Sequence, residues 1–164
     1  KMSEIKKRER KLMEPLLNKK ARHEFTLLET YQAGVLLEGW EVKAILARRI
    51  NFDNSHIIIR DGEAFLFNVM LTPLESTSTH QMAESTRSRK LLLHKKDIKK
   101  LFEKVKERTF TLVPSRIYQV GNGKIKVDVC LAKGKKEFDK RAAKKDADVQ
   151  KELNRLMKHN LSNV

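Results

Sequence analysis

Asp61-Gly62 is the strongest constraint on how this chain of 164 residues can fold. It lies between Ile57-Ile58-Ile59-Arg60 and Glu63-Ala64-Phe65-Leu66-Phe67. Tight hairpin turns need positive φ, which Asp and Gly tolerate, and the apolar flanks then pair as antiparallel strands. Gly121-Asn122-Gly123 repeats the signal between Arg116-Ile117-Tyr118 and Lys124-Ile125-Lys126-Val127. A set of hairpins leaves open strand edges, and closure into a barrel removes them.

The remaining pattern fills in such a barrel. Arg22 to Glu29 reads as a strand with Phe25 and Leu27 on one face. Thr30 is a good N-cap for a short helix over Tyr31 to Glu38, which Gly39 ends. Trp40, Val42, Ala44 and Leu46 alternate with Glu41, Lys43 and Ile45, which predicts another strand. Thr109 to Val113 and Lys124 to Leu131 complete the strands, and residues 75–86 read as a Ser/Thr-rich loop. Ile98, Leu101, Phe102 and Val105 form one apolar stripe on a helix from His94 to Glu107. The expectation is a mainly β fold: a closed antiparallel barrel of about six strands with two or three flanking helices.

Charge divides the chain. The net charge is +15. Residues 1–24 hold nine Lys/Arg against four Asp/Glu, residues 87–108 ten against three, and residues 132–164 ten against five. One such cluster is ordinarily a solvated face, but three on one small chain point to a polyanionic partner. Residues 1–17 read as a basic N-terminal arm, residues 18–133 as the barrel domain, and residues 134–164 as a basic tail. Ala132-Lys133-Gly134-Lys135-Lys136-Glu137-Phe138-Asp139-Lys140-Arg141 joins barrel to tail. In the tail, Val149, Leu153, Leu156 and Met157 share one helical face. So short a helix is marginal alone, so the tail is expected to be disordered when free and helical when docked.

Little supports catalysis or metal chemistry. His23, His56, His80, His94 and His159 show no zinc-ligand spacing, and Cys130 is the single cysteine, expected to be buried. Asp61 and Glu63 are the best carboxylates for a hydrolase, yet the turn already explains Asp61. No catalytic residue, cofactor or metal is expected. No apolar run approaches the roughly 18 residues of a membrane span, and no apolar segment follows the basic N-terminus, so a cytoplasmic protein is expected. Two stretches invite an RNA reading. In Arg87-Ser88-Arg89-Lys90-Leu91-Leu92-Leu93-His94, the cations suit a phosphate clamp beside an apolar contact, or simply a loop entering a core strand. Trp40 is more readily a core ring than a stacking platform, and Glu41 and Lys43 would sit on one solvated strand face.

Taken in order, several blocks carry a resemblance. They are Asn18-Lys19-Lys20-Ala21-Arg22-His23, Ala33-Gly34, Gly39-Trp40-Glu41-Val42-Lys43, Asp61-Gly62-Glu63-Ala64-Phe65-Leu66, Arg89-Lys90-Leu91-Leu92-Leu93, Ala132-Lys133-Gly134-Lys135-Lys136 and Asp139-Lys140-Arg141. In order and spacing the chain resembles the SsrA-binding protein family, also called small protein B. The resemblance implies an OB-like barrel that binds the tRNA-like domain of transfer-messenger RNA. It further implies delivery of that RNA to stalled 70S ribosomes for trans-translation, as a monomer and without enzymatic activity. Carried over by position, Asn18, Lys19, Arg22, Gln32, Gly34, Arg87, Arg89, Lys90 and Leu92 would face transfer-messenger RNA, with Arg22, Arg89 and Lys90 on phosphates. Lys133, Gly134, Lys135, Lys136, Phe138, Asp139, Lys140 and Arg141 would lie near the decoding centre of the small subunit. Leu156 and Met157 would act in the empty mRNA channel. Three positions depart from the family pattern: Gln32 stands for Glu, Phe138 for His or Tyr, and Arg48 for Gly. A general RNA-binding or ribosome-associated barrel protein is the alternative.

Overall fold

The computed structural model describes residues 11–74, 85–135 and 137–162. The expected loop over 75–86 lies mostly outside the described residues, as do residues 1–10 of the arm. Strands dominate: β1 (Leu16–Leu17), β2 (Phe25–Val35), β3 (Ile50–Asn51), β4 (His56–Arg60), β5 (Glu63–Phe67), β6 (Met70–Leu71), β7 (Arg89–Leu92), β8 (Phe110–Gln119) and β9 (Ile125–Gly134). The helices are α1 (Lys19–Glu24), α2 (Gly39–Leu46), α3 (Lys95–Val105) and α4 (Glu137–Ser162).

One antiparallel sheet carries the order β1-β8-β4-β5-β7-β2-β9, and β8 pairs with β9 as well; β3 and β6 make a separate pair. Both hairpins form where the turn residues require them. Arg60 faces Glu63 across Asp61 (φ 52°) and Gly62 (φ 74°). Gln119 faces Ile125, and Gly123 takes φ 88° in the intervening turn. Ala33, Ile57, Leu66, Leu91, Leu112, Val127 and Val129 fill the core between the strands. Ala21 of α1 closes a second apolar cluster with Val113, Cys130 and Ala132 on the outside of β8 and β9. Cys130 is buried, as its strand position implied.

Several local expectations fail. Tyr31 to Val35 is strand, not helix, because nine residues of β2 pair with the distant β9 and outweigh the local Thr30 cap. Trp40 to Leu46 is helix, not strand: Glu41, Ala44 and Ile45 are buried at i, i+3, i+4. The apparent alternation arose because the buried member of that stripe is a carboxylate. Residues 22–24, read as the start of a strand, belong to α1, and the strand begins at Phe25. Leu16 and Leu17, read as part of the arm, pair with Ile117 and Arg116 of β8. Helix α3 is as expected, with His94 at its N-cap and Ile98 and Leu101 buried.

Candidate nucleic-acid interface

The strand register assembles a surface that no single segment displays. Leu92 of β7 faces Gly34 of β2, Gly34 faces Lys126 of β9, and Lys126 faces Tyr118 of β8. Side chains alternate across a sheet, and Ala33 and Val127 point into the core, so this row points outward. Gly34 is the low point of the row. A Cβ built there would lie 3.3 Å from the Leu92 Cβ. The resulting groove holds about 390 Å³ and is walled by Leu36, Leu37, Leu92, Lys124 and Lys126. Leu36 and Leu92 stay about half exposed, at 49% each. An apolar floor rimmed by ammonium groups suits an unstacked base or RNA loop with its phosphates alongside.

A second row lies beside the first. Gln32 faces Asp128, which faces Arg116. Gln32 Nε2 donates to the Tyr118 hydroxyl. Arg116 Nε donates to Asp128 and its guanidinium lies 4.3 Å from the Tyr118 ring centre. Desolvation raises the Tyr118 hydroxyl above the ordinary tyrosine value, so it stays protonated and able to donate. Asp128 raises the Arg116 guanidinium. The row thus presents an aromatic ring with a cation on one face and an amide at its edge. A Glu in place of Gln32 would accept from Tyr118 instead, so the substitution reverses that hydrogen bond.

Not every residue expected on this surface is there. Arg89 is 1% exposed and cannot hold a phosphate in this structure. Its Nε donates to Glu41, its Nη1 to Val69 O at 2.7 Å and its Nη2 to Ser85 O at 3.1 Å. Arg87, partly exposed, donates to the same Glu41. Glu41 is itself fully buried, which corrects its reading as a solvated strand residue. Burial pushes its carboxyl upward, but the Glu38 N–H and the two guanidiniums outweigh burial and hold it below the usual glutamate range. Arg89 and Glu41 therefore tie β7 to α2 and set where Leu92 sits. Asn18 is also buried, 2% exposed. It caps α1 by accepting from Ala21 N, and its Nδ2 donates to Pro114 O at 2.7 Å. Asn18 thus fixes α1 against β8, away from the Arg89–Glu41 tie.

Others are exposed. Lys19 and Arg22 stand on α1, and Lys90, half exposed, donates to Glu63 at 2.9 Å. Glu63, the hydrolase candidate, is thereby engaged by a lysine, and Asp61 is held in its turn. Among the described residues no group of His, Cys, Asp and Glu could hold a metal ion. Among them, too, no helix is long and apolar enough to cross a membrane.

At the far end of β9, Lys133 and Gly134 are exposed. Lys135 closes the C-terminus of α1, its N–H donating to Glu24 O at 2.9 Å and its Nζ to Arg22 O at 3.0 Å. A cation there also suits the negative helix end. It fixes where α4 departs, and α4 runs against α1. Lys136 and the side chains of Phe138, Asp139, Lys140 and Arg141 lie outside the described residues. Farther along, Val149, Leu153, Leu156 and Met157 are all exposed on α4.

The sequence reading missed Leu36, Tyr118, Lys124 and Lys126 as surface partners. Lys124 and Lys126 alternate with Ile125 and Val127, which was signal enough to place both on one outward face.

The protein-family model described as SmpB protein matches residues 16–159. The SsrA-binding protein of Ralstonia nicotianae is 49% identical over 141 residues, 86% of this chain and 95% of that protein. That of Bordetella parapertussis is 45% identical over 142 residues, 87% of this chain and 91% of its own length. A solved structure described as "tmRNA-SmpB: a journey to the center of the bacterial ribosome" superposes with a TM-score of 0.64 at 42% identity, covering 75% of this chain and 85% of that one.

Proposed function

This chain belongs to the SmpB family, and from that premise we propose that it binds transfer-messenger RNA and carries it to the ribosome for trans-translation. The observation that supports the binding face is the row Leu92–Gly34–Lys126–Tyr118 across four paired strands. Its apolar floor takes a nucleobase or loop of the tRNA-like domain, and Lys124, Lys126 and Lys90 neutralise phosphates around it. Shape selects the folded RNA, and the surrounding positive charge brings it in without reading sequence. The protein works as an RNA-binding scaffold in the cytoplasm and not as an enzyme.

The frame is an OB-like barrel. The β8–β9 pairing, which joins the last strand of the order to the strand next to its other end, favours closure. Rigidity follows from closure and keeps the row in register when RNA docks.

The ribosomal end is separate. Lys133, Gly134, Lys135 and the segment through Arg141 approach the decoding centre, and α4 enters the empty mRNA channel with Leu156 and Met157 leading. The apolar face of α4 has no covering partner among the described residues, and a lone helix of this kind is marginal in water. Docking on the ribosome supplies the missing contacts. The division of labour is tested by measuring transfer-messenger RNA affinity and peptide tagging on stalled ribosomes in the same variants. Groove variants must lose both, and tail variants only the second. Loss of RNA affinity in a tail variant would refute it.

A further inference from the structure

Helix α3 lies apart from the groove. It packs on β8, and Lys100 Nζ sits 5.9 Å from the ring centre of Tyr31, whose side chain packs against the core side of β2. Gly34 points to the opposite side of that strand. Ile98 and Leu101 are buried and Val105 packs against the core, so the helix is already anchored. Phe102 is not needed for that anchoring and is 46% exposed. From Lys95 to Lys106 the chain carries six lysines against Asp97 and Glu103, and every one of those lysines is exposed. Lys106 Nζ lies 5.0 Å from the Phe102 ring centre while donating to Glu103 at 3.1 Å.

A lone ring among lysines is too little apolar surface for a membrane or an obligate protein partner, but it is the arrangement that single-stranded nucleic acid uses. Bases stack on the ring and the backbone tracks the cations. We propose that α3 is a second RNA-binding face, on which a base of an unpaired RNA segment stacks against Phe102 while Lys95, Lys99 and Lys106 contact the flanking phosphates. The occupant is an RNA strand other than the one held in the groove, so one chain bridges two RNAs. The proposal rests on the chain being an RNA-binding protein, and its test separates the two faces.

The experiment saturates the full chain with transfer-messenger RNA and then titrates in labelled oligouridine of about 12 nucleotides, within the usual site sizes. Oligouridine is expected to bind the preformed complex. Phe102→Ala should weaken that binding about tenfold, in line with the loss of one base–aromatic stack, and Phe102→Tyr should restore it. Lys95→Ala with Lys99→Ala should flatten the salt dependence by about 0.7 per lysine. Thermal midpoints and transfer-messenger RNA affinity should stay at the parent's values in all three variants. The proposal is overturned if Phe102→Ala binds oligouridine as well as the parent does, or if transfer-messenger RNA displaces the oligonucleotide. Should the chain bind no transfer-messenger RNA at all, the groove reading fails, and the same titration on the free chain still decides the case for α3.

Discussion

Gly34 and Leu92 face each other across β2 and β7, and a methyl group added to Gly34 would come within 3.3 Å of the Leu92 Cβ. That distance is tighter than an ordinary contact, and the Leu92 Cβ is fixed to backbone, so the strand itself would have to give. Gly34→Ala is therefore expected to fill the groove floor with its methyl and push Leu92 aside. Transfer-messenger RNA affinity should fall roughly tenfold, about 1.4 kcal/mol, in filter binding. The thermal midpoint should fall by only a few degrees, because the strand need give only a few tenths of an ångström. An unchanged affinity would mean that RNA does not use this concavity.

The Glu41 pair makes a prediction about acid. Its folded-state value is depressed, so its stabilising contribution is full above the unfolded value of about 4.3 and is lost as pH falls through the folded value. Stability should therefore decline on acidification below about pH 4, and Glu41→Gln should flatten that decline. At neutral pH, Glu41→Ala leaves Arg89 buried without its carboxylate and should destabilise by about 3–5 kcal/mol in urea unfolding. A loss under 1 kcal/mol would show that Arg89 finds another partner.

Arg48 occupies the left-handed region at φ 61°. Glycine, the residue that the family resemblance implies at this turn, adopts that conformation freely, whereas the arginine bears the strain. Arg48→Gly is expected to hold or raise the thermal midpoint, despite losing the bond from Nη1 to Glu14 O. A drop of several degrees would show that this bond outweighs the strain.

Leu156→Asp with Met157→Asp should leave transfer-messenger RNA affinity at the parent's value and abolish tagging of stalled peptides. Both side chains are exposed on α4, so folding of the sheet should be untouched, which unchanged thermal unfolding would verify.

What the sequence made legible was whatever is decided locally. Asp61-Gly62 and Gly121-Asn122-Gly123 dictate φ through their own chemistry, and the stripe on α3 needs only its own period. Tyr31 to Val35 and Trp40 to Leu46 exchanged helix for strand because the first is held by β9, nearly a hundred residues away, and the second hides a carboxylate in its buried face. The same blind spot covers Arg89 and Asn18. Each is a polar residue whose type suggests RNA, and each is consumed by an internal partner that sequence does not reveal. The family blocks pointed to β2 and β7, and register alone showed that Tyr118 and Lys126 belong to the row with Gly34.

The most direct test of the central claim is a competition titration at physiological salt. The full chain is bound to transfer-messenger RNA and challenged with ordinary tRNA and with random RNA, for the parent and for Leu92→Asp. The parent should prefer transfer-messenger RNA strongly over both competitors, and Leu92→Asp should erase most of that preference while keeping weak, salt-sensitive binding to all three. Equal binding of the three RNAs by the parent would contradict the claim and leave a general, charge-driven RNA binder.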